Sequence, residues 1–261
     1  MKVTPATLLQ AVADVAHVAG EVALKRYLTR LPVEFKEDGS PVTDADRDAE
    51  RAAREWIERY FPTDAIEGEE YGESRPGTRR RWYIDPVDGT RSFISGVPLW
   101  GAMVSVVDGE QVLAGALCFP ALGEAVAAAP GEGCWWNGAR CRVSEIAQLS
   151  RARVLTSDER FTERPECRDG WLRLTARAGM CRTWGDCYGY MLVATGRAEV
   201  MLDARLTLID TAPLQPIVVE AGGAFTDWEG NPTAFGGSAI ATNTALATEV
   251  RRLLTGDGRT R

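Results

Sequence analysis

Asp85-Pro86-Val87-Asp88-Gly89-Thr90 decides how the rest of this chain is read. Trp82-Tyr83-Ile84, just before it, has the composition of a short strand ending at Asp85. Two carboxylates three residues apart therefore sit at a strand end, directly before a Gly-Thr turn. Hard divalent cations prefer oxygen ligands, and Mg2+ usually takes a few carboxylates together with water and substrate phosphate. Pro86 fixes one backbone angle, and Gly89 lets the backbone approach an oxyanion closely. A helix starting near Thr90 would offer its free N–H groups to phosphate. Taken alone, the six residues also fit an ordinary surface turn, because Asp-Pro and Asp-Gly are common turn dipeptides.

Upstream, Leu8, Val12, Val15, Ala19, Val22 and Tyr27 recur mostly at three- and four-residue steps, the pattern of one helix face from about 5 to 30. Thr4 before Pro5 is a start signal. A second helical face uses Ala49, Ala52, Ala53, Trp56, Ile57 and Tyr60 and stops before Pro62, with a loop over 37–41 between the two. Downstream, segments 101–107 and 111–119 flank the hairpin signal Asp108-Gly109, and Asn137-Gly138 marks a second hairpin. The region from 77 to about 145 is therefore expected to be an antiparallel sheet. Beyond 150, short strands at 154–155, 200–202, 224–225 and 239–241 alternate with helical stretches near 168–178, 186–196, 210–221 and 243–254, as in a layered α/β unit. Residues 256–261 are expected to fray.

Composition narrows the function classes. The chain has 261 residues, 45% of them apolar and 26% charged, enough for a substantial core. A net charge of −7 argues against broad nucleic-acid binding, which needs a basic face. Arg79-Arg80-Arg81 is expected to be a solvated loop before a strand. The six cysteines form no C-x-x-C pair and the chain has one histidine, His17, so a zinc site is not indicated. Free thiols fit a reducing cytoplasm. The N-terminal segment, interrupted by Gln10, Asp14, His17 and Glu21, is expected to be an amphipathic helix and not a leader, and no run suggests a membrane span.

Three further acidic elements bear on the first: Asp44-Ala45-Asp46 before the second helix, Gly68-Glu69-Glu70 after it, and Leu208-Ile209-Asp210 at the start of a late helix ahead of Glu220-Ala221-Gly222-Gly223. Singly, each has a bland role as a cap or a solvated charge. Together, G-E-E, D-P-x-D-G-T and a late Asp before E-A-G-G occur in an order that resembles the inositol monophosphatase superfamily, over the chain from the first helix to about 245. That resemblance implies an α-β-α-β-α layered sandwich of mixed α+β and α/β character. Its halves would be 1–150, with the antiparallel sheet and most metal ligands, and 151–261, with Asp210 and the substrate-recognition segment. It further implies that Glu69, Asp85, Asp88, Asp210 and the backbone carbonyl of Val87 bind two to three Mg2+ ions. Gly89 and Thr90 would hold phosphate, and Thr90 with Asp46 would form a dyad that orients or deprotonates the attacking water, with Glu69 in the catalytic set. Asp44 does not match the dyad position and is expected to be a cap or a solvated charge. Such proteins are often homodimers. Four converging carboxylates would repel one another, whereas bound cations would lower the pKa of water, clamp phosphate and stabilise a leaving alkoxide.

On the substrate side, Gly185-Asp186-Cys187-Tyr188, Asp88-Gly89-Thr90-Arg91-Ser92-Phe93 and Pro216 resemble the histidinol-phosphate phosphatase branch, which serves histidine biosynthesis. Gly185, Asp186 and Asp203 then fall in the substrate pocket. Carboxylates at 186 and 203 suit the ammonium and imidazole of histidinol phosphate, although inositol hydroxyls also suit carboxylate acceptors, and Asp186 could instead cap a helix. Ile209 departs from the branch, where Trp is usual. An inositol-1-phosphate or broad sugar-phosphate phosphatase is the neighbouring reading; a catalytically inactive metal-binding regulatory module is the alternative from another class.

Overall fold

A computed structural model describes residues 3–162 and 164–256. In chain order its regular elements begin with α1 (Pro5–Leu24), the β1 (Glu34–Phe35) and β2 (Pro41–Val42) hairpin, and α2 (Asp44–Tyr60). There follow β3 (Ala65–Gly68), β4 (Gly72–Ser74), β5 (Arg80–Asp88), α3 (Thr90–Ile94), β6 (Gly101–Asp108), β7 (Gln111–Phe119), β8 (Glu124–Ala129), β9 (Gly133–Trp136) and β10 (Ala139–Arg140). The remainder is β11 (Arg153–Leu155), α4 (Arg168–Thr175), β12 (Met180–Arg182), α5 (Cys187–Ala194), β13 (Val200–Asp203), α6 (Leu208–Glu220), β14 (Ala224–Thr226), β15 (Ala239–Thr242) and α7 (Ala247–Thr255).

The strands make an eight-stranded sheet, β10-β9-β8-β7-β6-β5-β3-β4, and a five-stranded one, β12-β11-β13-β15-β14. Helices α1 and α2 cover one face of the large sheet; Val12, Val15, Ala49, Ala53 and Ile57 pack there on Trp82, Ile84, Val104 and Val106. Helices α5 and α6 fill the space between the sheets, where Tyr190, Met191, Leu214 and Ile217 meet Met103 and Leu117 on one side and Met201 and Ala241 on the other. Helices α4 and α7 cover the far face, with Trp171, Leu174, Val250 and Leu253 on Val154, Val200 and Ile240. The order is α-β-α-β-α, as expected. Strand β6 shows why: seven of its residues in a row are buried, because alternate side chains point into two different helical layers.

Local chemistry accounts for the hairpins. Asn137 and Gly138 both have positive φ (47° and 79°), the type I′ geometry that matches strand twist, and Ala139 pairs with Trp136 across the turn. Asp108 pairs with Gln111 around the other hairpin turn. Strand β3 was not legible; it joins β5 in parallel, so the large sheet is not wholly antiparallel.

Several expectations are corrected. The first helix ends at Leu24, not near 30; Leu28 has φ of 59°, and Tyr27 reaches the core from a turn, its ring 5.5 Å from that of Phe93 and 5.4 Å from that of Trp100. Strand β5 does not stop at Asp85 but runs to Asp88 through an irregularity in its pairing with β6. The arginine cluster is not a solvated loop: Arg80 and Arg81 lie in β5, where Arg80 pairs with Asp64 at 2.7 Å and Arg81 with Glu67 at 2.7 Å, and Arg79 pairs with Asp108. By length and composition α1 could cross a membrane, contrary to the sequence expectation, yet its face from Leu8 to Ala23 is used in the core. The expectation for the C-terminal tail falls, beyond Gly256, outside the described residues.

Candidate active site

The carboxylates converge because the fold places two element ends together. Asp85 and Asp88 come from the end of β5, and Asp210 from the first turn of α6. One carboxylate oxygen of each lies within 4.8 Å of the others, with Asp85 buried and the other two half-buried. Helix α6 reaches this point by crossing β7 at very close range: a Cβ on Gly115 would lie 2.4 Å from the Pro213 carbonyl oxygen. Asp210 is further held by a capping box, its Oδ2 accepting from the Thr207 N–H at 2.7 Å and the Thr207 hydroxyl at 2.9 Å.

The electrostatics match that crowding. Burial, and then the charges of Glu69, Asp88 and Asp210, push the Asp85 carboxyl well above the ordinary carboxylate range. Burial with the charges of Asp186 and Asp210 does the same to Asp88. Burial raises Asp210 to about 6, against the lowering hydrogen bonds from Thr207. An all-oxygen set of crowded carboxylates, raised by burial and then by neighbouring charges, is what a hard divalent cation relieves, so the residues fit such an ion. Glu69 stands beside the trio but not within it; its carboxylate is more exposed and is paired with Lys36 Nζ at 2.8 Å. Lys36 also pairs with Glu70 at 2.7 Å. Burial works against the Lys36 charge, but the two carboxylates outweigh it and hold the ammonium above the ordinary lysine range. Lys36 was not singled out from the sequence. It lies on the β1–β2 hairpin, 33 residues from Glu69, and only tertiary structure brings the two together.

Gly89 has φ of 81° and precedes the first residue of α3, and the first N–H groups of such a helix have no partners within it. Thr90 Oγ1 lies 3.0 Å from the Val87 carbonyl and 3.4 Å from Asp46 Oδ1. Asp46 is the third residue of α2, in a capping box with Thr43: its Oδ2 accepts from the Thr43 N–H at 2.9 Å and hydroxyl at 2.6 Å, which leaves Oδ1 for Thr90. Burial raises the Asp46 carboxyl above its ordinary range. Asp44 is exposed at the helix start, 3.5 Å from Arg47.

Next to this lies a cavity of about 290 Å³ whose lining includes Asp88, Ser157, Asp186, Tyr190, Asp203 and Asp210. Asp186 occupies the residue before α5, yet its side chain makes no capping hydrogen bond. It turns to Gly89 instead, where a Cβ would lie 2.8 Å from Asp186 Oδ2. Burial raises its carboxyl, with a hydrogen bond from Ser157 opposing. Gly185 packs against Ser157, and a Cβ there would come within 2.6 Å of the Ser157 Cα. Asp203 is buried in the cavity wall. Its oxygens accept from the Ser157 N–H at 2.9 Å, the Ser157 hydroxyl at 3.1 Å and the Tyr190 hydroxyl at 2.9 Å. Burial nevertheless raises Asp203 to about 7. Ser157 was missed in the sequence because a serine after a short strand carries no signal. Tyr188 packs on Phe119 and hydrogen-bonds Glu124, Trp184 is exposed, and Ile209 packs beside Tyr83 and Val107.

Fold and site together define a class: a five-layer α/β protein with an oxygen-only carboxylate centre, a helix start and a polar cavity meeting at one point. The chain belongs to the inositol monophosphatase family, whose model matches residues 5–255. It is 43% identical to a histidinol-phosphatase of Chlorobaculum parvum, covering 91% of this chain and 93% of that one. It is 37% identical to a histidinol-phosphatase of Mycobacterium tuberculosis, covering 84% and 86%. Among solved structures, the extragenic suppressor protein suhB of Bartonella henselae superposes with a TM-score of 0.89 at 26% identity, covering 96% of this chain and 98% of that one.

Proposed function

We propose that this protein is a Mg2+-dependent phosphate monoester hydrolase that converts L-histidinol phosphate and water to L-histidinol and phosphate. The observation that carries the reading is the meeting of the Asp85–Asp88–Asp210 centre with the Asp186-lined cavity, in a chain similar throughout to histidinol-phosphatases. Asp85, Asp88, Asp210, Glu69 and the Val87 carbonyl would hold the two to three Mg2+ ions. Bound there, the cations supply Lewis-acid stabilisation of the phosphoryl oxygens and of the leaving oxygen.

The chain's own groups do the rest. The N–H groups at Gly89 and Thr90 bind the phosphoryl oxygens. Thr90 Oγ1 takes a proton from the attacking water as its own proton passes to Asp46 Oδ1, and Asp46 later releases that proton to solvent. The water oxygen bonds to phosphorus as the bond from phosphorus to the substrate oxygen breaks, and that oxygen leaves as the histidinol hydroxyl on taking a proton from solvent water. Asp186 pairs with a cationic group of the substrate. Gly185 admits Ser157, and Asp203, through Ser157 and Tyr190, shapes the wall behind it. We place the enzyme in the cytoplasm as a homodimer acting in histidine biosynthesis.

The test is a comparison of kcat/KM for histidinol phosphate and inositol 1-phosphate with Mg2+ and with EDTA. Preference for the inositol ester overturns the substrate. Inactivity of the wild-type protein over a panel of phosphate esters favours a regulatory module.

A further inference from the structure

Helix α2 buries Asp46 and Glu50 on one face, four residues and about one turn apart. Asp46 addresses Thr90. Glu50 has no part in the chemistry above, yet it is completely buried. Its Oε2 accepts from the N–H of Glu70 at 2.7 Å; its Oε1 accepts from the N–H of Tyr71 at 3.2 Å and from Arg54 Nε at 2.6 Å. Arg54 in turn donates to the Gly72 carbonyl. The two amides lie in the turn that closes the β3–β4 hairpin between the paired residues Gly68 and Gly72, Arg54 reaches its far end from α2, and Glu69 is the first residue of that turn. Gly68 completes the arrangement: a Cβ there would lie 2.0 Å from Glu50 Oε1, so no side chain fits at 68 while Glu50 stays in place.

A buried carboxylate is tolerated only when donors surround it. Here the donors are two backbone amides of the very turn that carries Glu69, so satisfying Glu50 also fixes that turn. We propose that Glu50 is a positioning residue, which, through the amides of Glu70 and Tyr71 and the gap left by Gly68, fixes the turn presenting Glu69 to the cation site. The inference rests on the reading of Glu69 as a cation ligand.

Mn2+ binding to the purified protein, followed by electron paramagnetic resonance, tests it without substrate. Glu50→Gln keeps the side-chain shape but cannot accept hydrogen bonds on both terminal atoms. It should weaken Mn2+ binding by about 10- to 100-fold, the usual cost of removing a group that orients a ligand, with kcat at saturating Mg2+ falling less than the affinity does. Gly68→Ala should weaken binding in the same way by displacing the carboxylate. In a Glu50→Ala background the added methyl has room, so G68A should then cost little more, a non-additivity that a general loss of stability does not produce. Wild-type affinity in E50Q, or additive losses in the cycle, overturns the proposal alone. A wild-type protein that binds no Mn2+ overturns the cation site and this proposal with it. Should E50Q fail to fold by circular dichroism, G68A decides by the same affinity criterion.

Discussion

The backbone N–H of Cys187 donates to Asp88 Oδ2 at 2.6 Å, linking the first residue of α5 to the end of β5 across 99 residues of chain. The carboxylate centre and the helix that borders the cavity are thereby one unit. Asp88→Asn keeps an oxygen to accept this bond and removes one of the repelling charges. It should lower kcat/KM by about 10²- to 10³-fold, the size of removing one charge-stabilising group from an active site, with the far-ultraviolet circular dichroism and metal-free Tm maintained. Full activity in D88N would remove Asp88 from the site.

The Asp46–Thr90 pair makes a different prediction. Thr90→Val removes the hydroxyl that faces Asp46 Oδ1 and should depress kcat by about 10²- to 10⁴-fold, the range of a general acid–base group, with little change in KM. Thr90→Ser should restore most of the rate. Equal rates for the serine and valine variants would show that the hydroxyl takes no part.

For Asp186, the comparison of substrates is the informative measurement. Its side chain makes no capping hydrogen bond, so Asp186→Ala should leave α5 in place. Loss of one hydrogen bond to a charged group, about 1.5–3 kcal/mol, should lower kcat/KM for histidinol phosphate by that amount and spare inositol 1-phosphate. Equal loss on both esters would mark a merely structural residue.

The raised carboxyls couple stability to pH. Asp210 at about 6 and Asp203 at about 7 lie above the ordinary value of 3.8. Between that value and about 7, the folded state holds more protons on these groups than the unfolded state does, so their contribution to stability falls as pH rises. Cation binding needs the deprotonated site. The rise in Tm produced by Mg2+ should therefore be small below the Asp210 value of about 6 and grow as pH climbs through it, and EDTA should abolish it. A Mg2+ shift independent of pH would count against this centre.

Gly115→Ala tests the seat of α6. Its methyl would meet the Pro213 backbone, and overpacking of this kind costs about 1–3 kcal/mol. Because Asp210 begins the same helix, Mg2+ affinity should fall along with Tm. Unchanged affinity would show that the helix start is held independently, by the Thr207 capping box.

Much of the architecture was legible before any coordinates. Asn137-Gly138 and Asp108-Gly109 state their turns through residues that accept positive φ, and the apolar steps of α1 and α2 state their buried faces. The parallel strand β3 was not legible, because its partner β5 is held by backbone pairing that leaves no periodic mark on Ala65–Gly68. Nor was the end of α1, where Tyr27 keeps the helical spacing of the pattern while the backbone has already left the helix. Glu50 left a usable signal: it falls on the buried face defined by Ala49, Ala53 and Ile57, where an acidic residue asks for partners.

By itself the sequence determined which residue types are available and what each does locally: carboxylates at Asp85, Asp88, Glu69 and Asp210, a glycine at 89 able to take positive φ, and a late helix beginning near Asp210. Only the tertiary structure decided that Asp210 meets Asp85 and Asp88, that Lys36 faces Glu69, that Asp203 has its oxygens engaged by Ser157 and Tyr190, and that Glu50 holds the turn bearing Glu69. The reason is physical. Turns and helix starts follow from the backbone preferences of neighbouring residues, whereas a charge centre is set by where packed layers bring distant element ends, and by the desolvation that packing imposes.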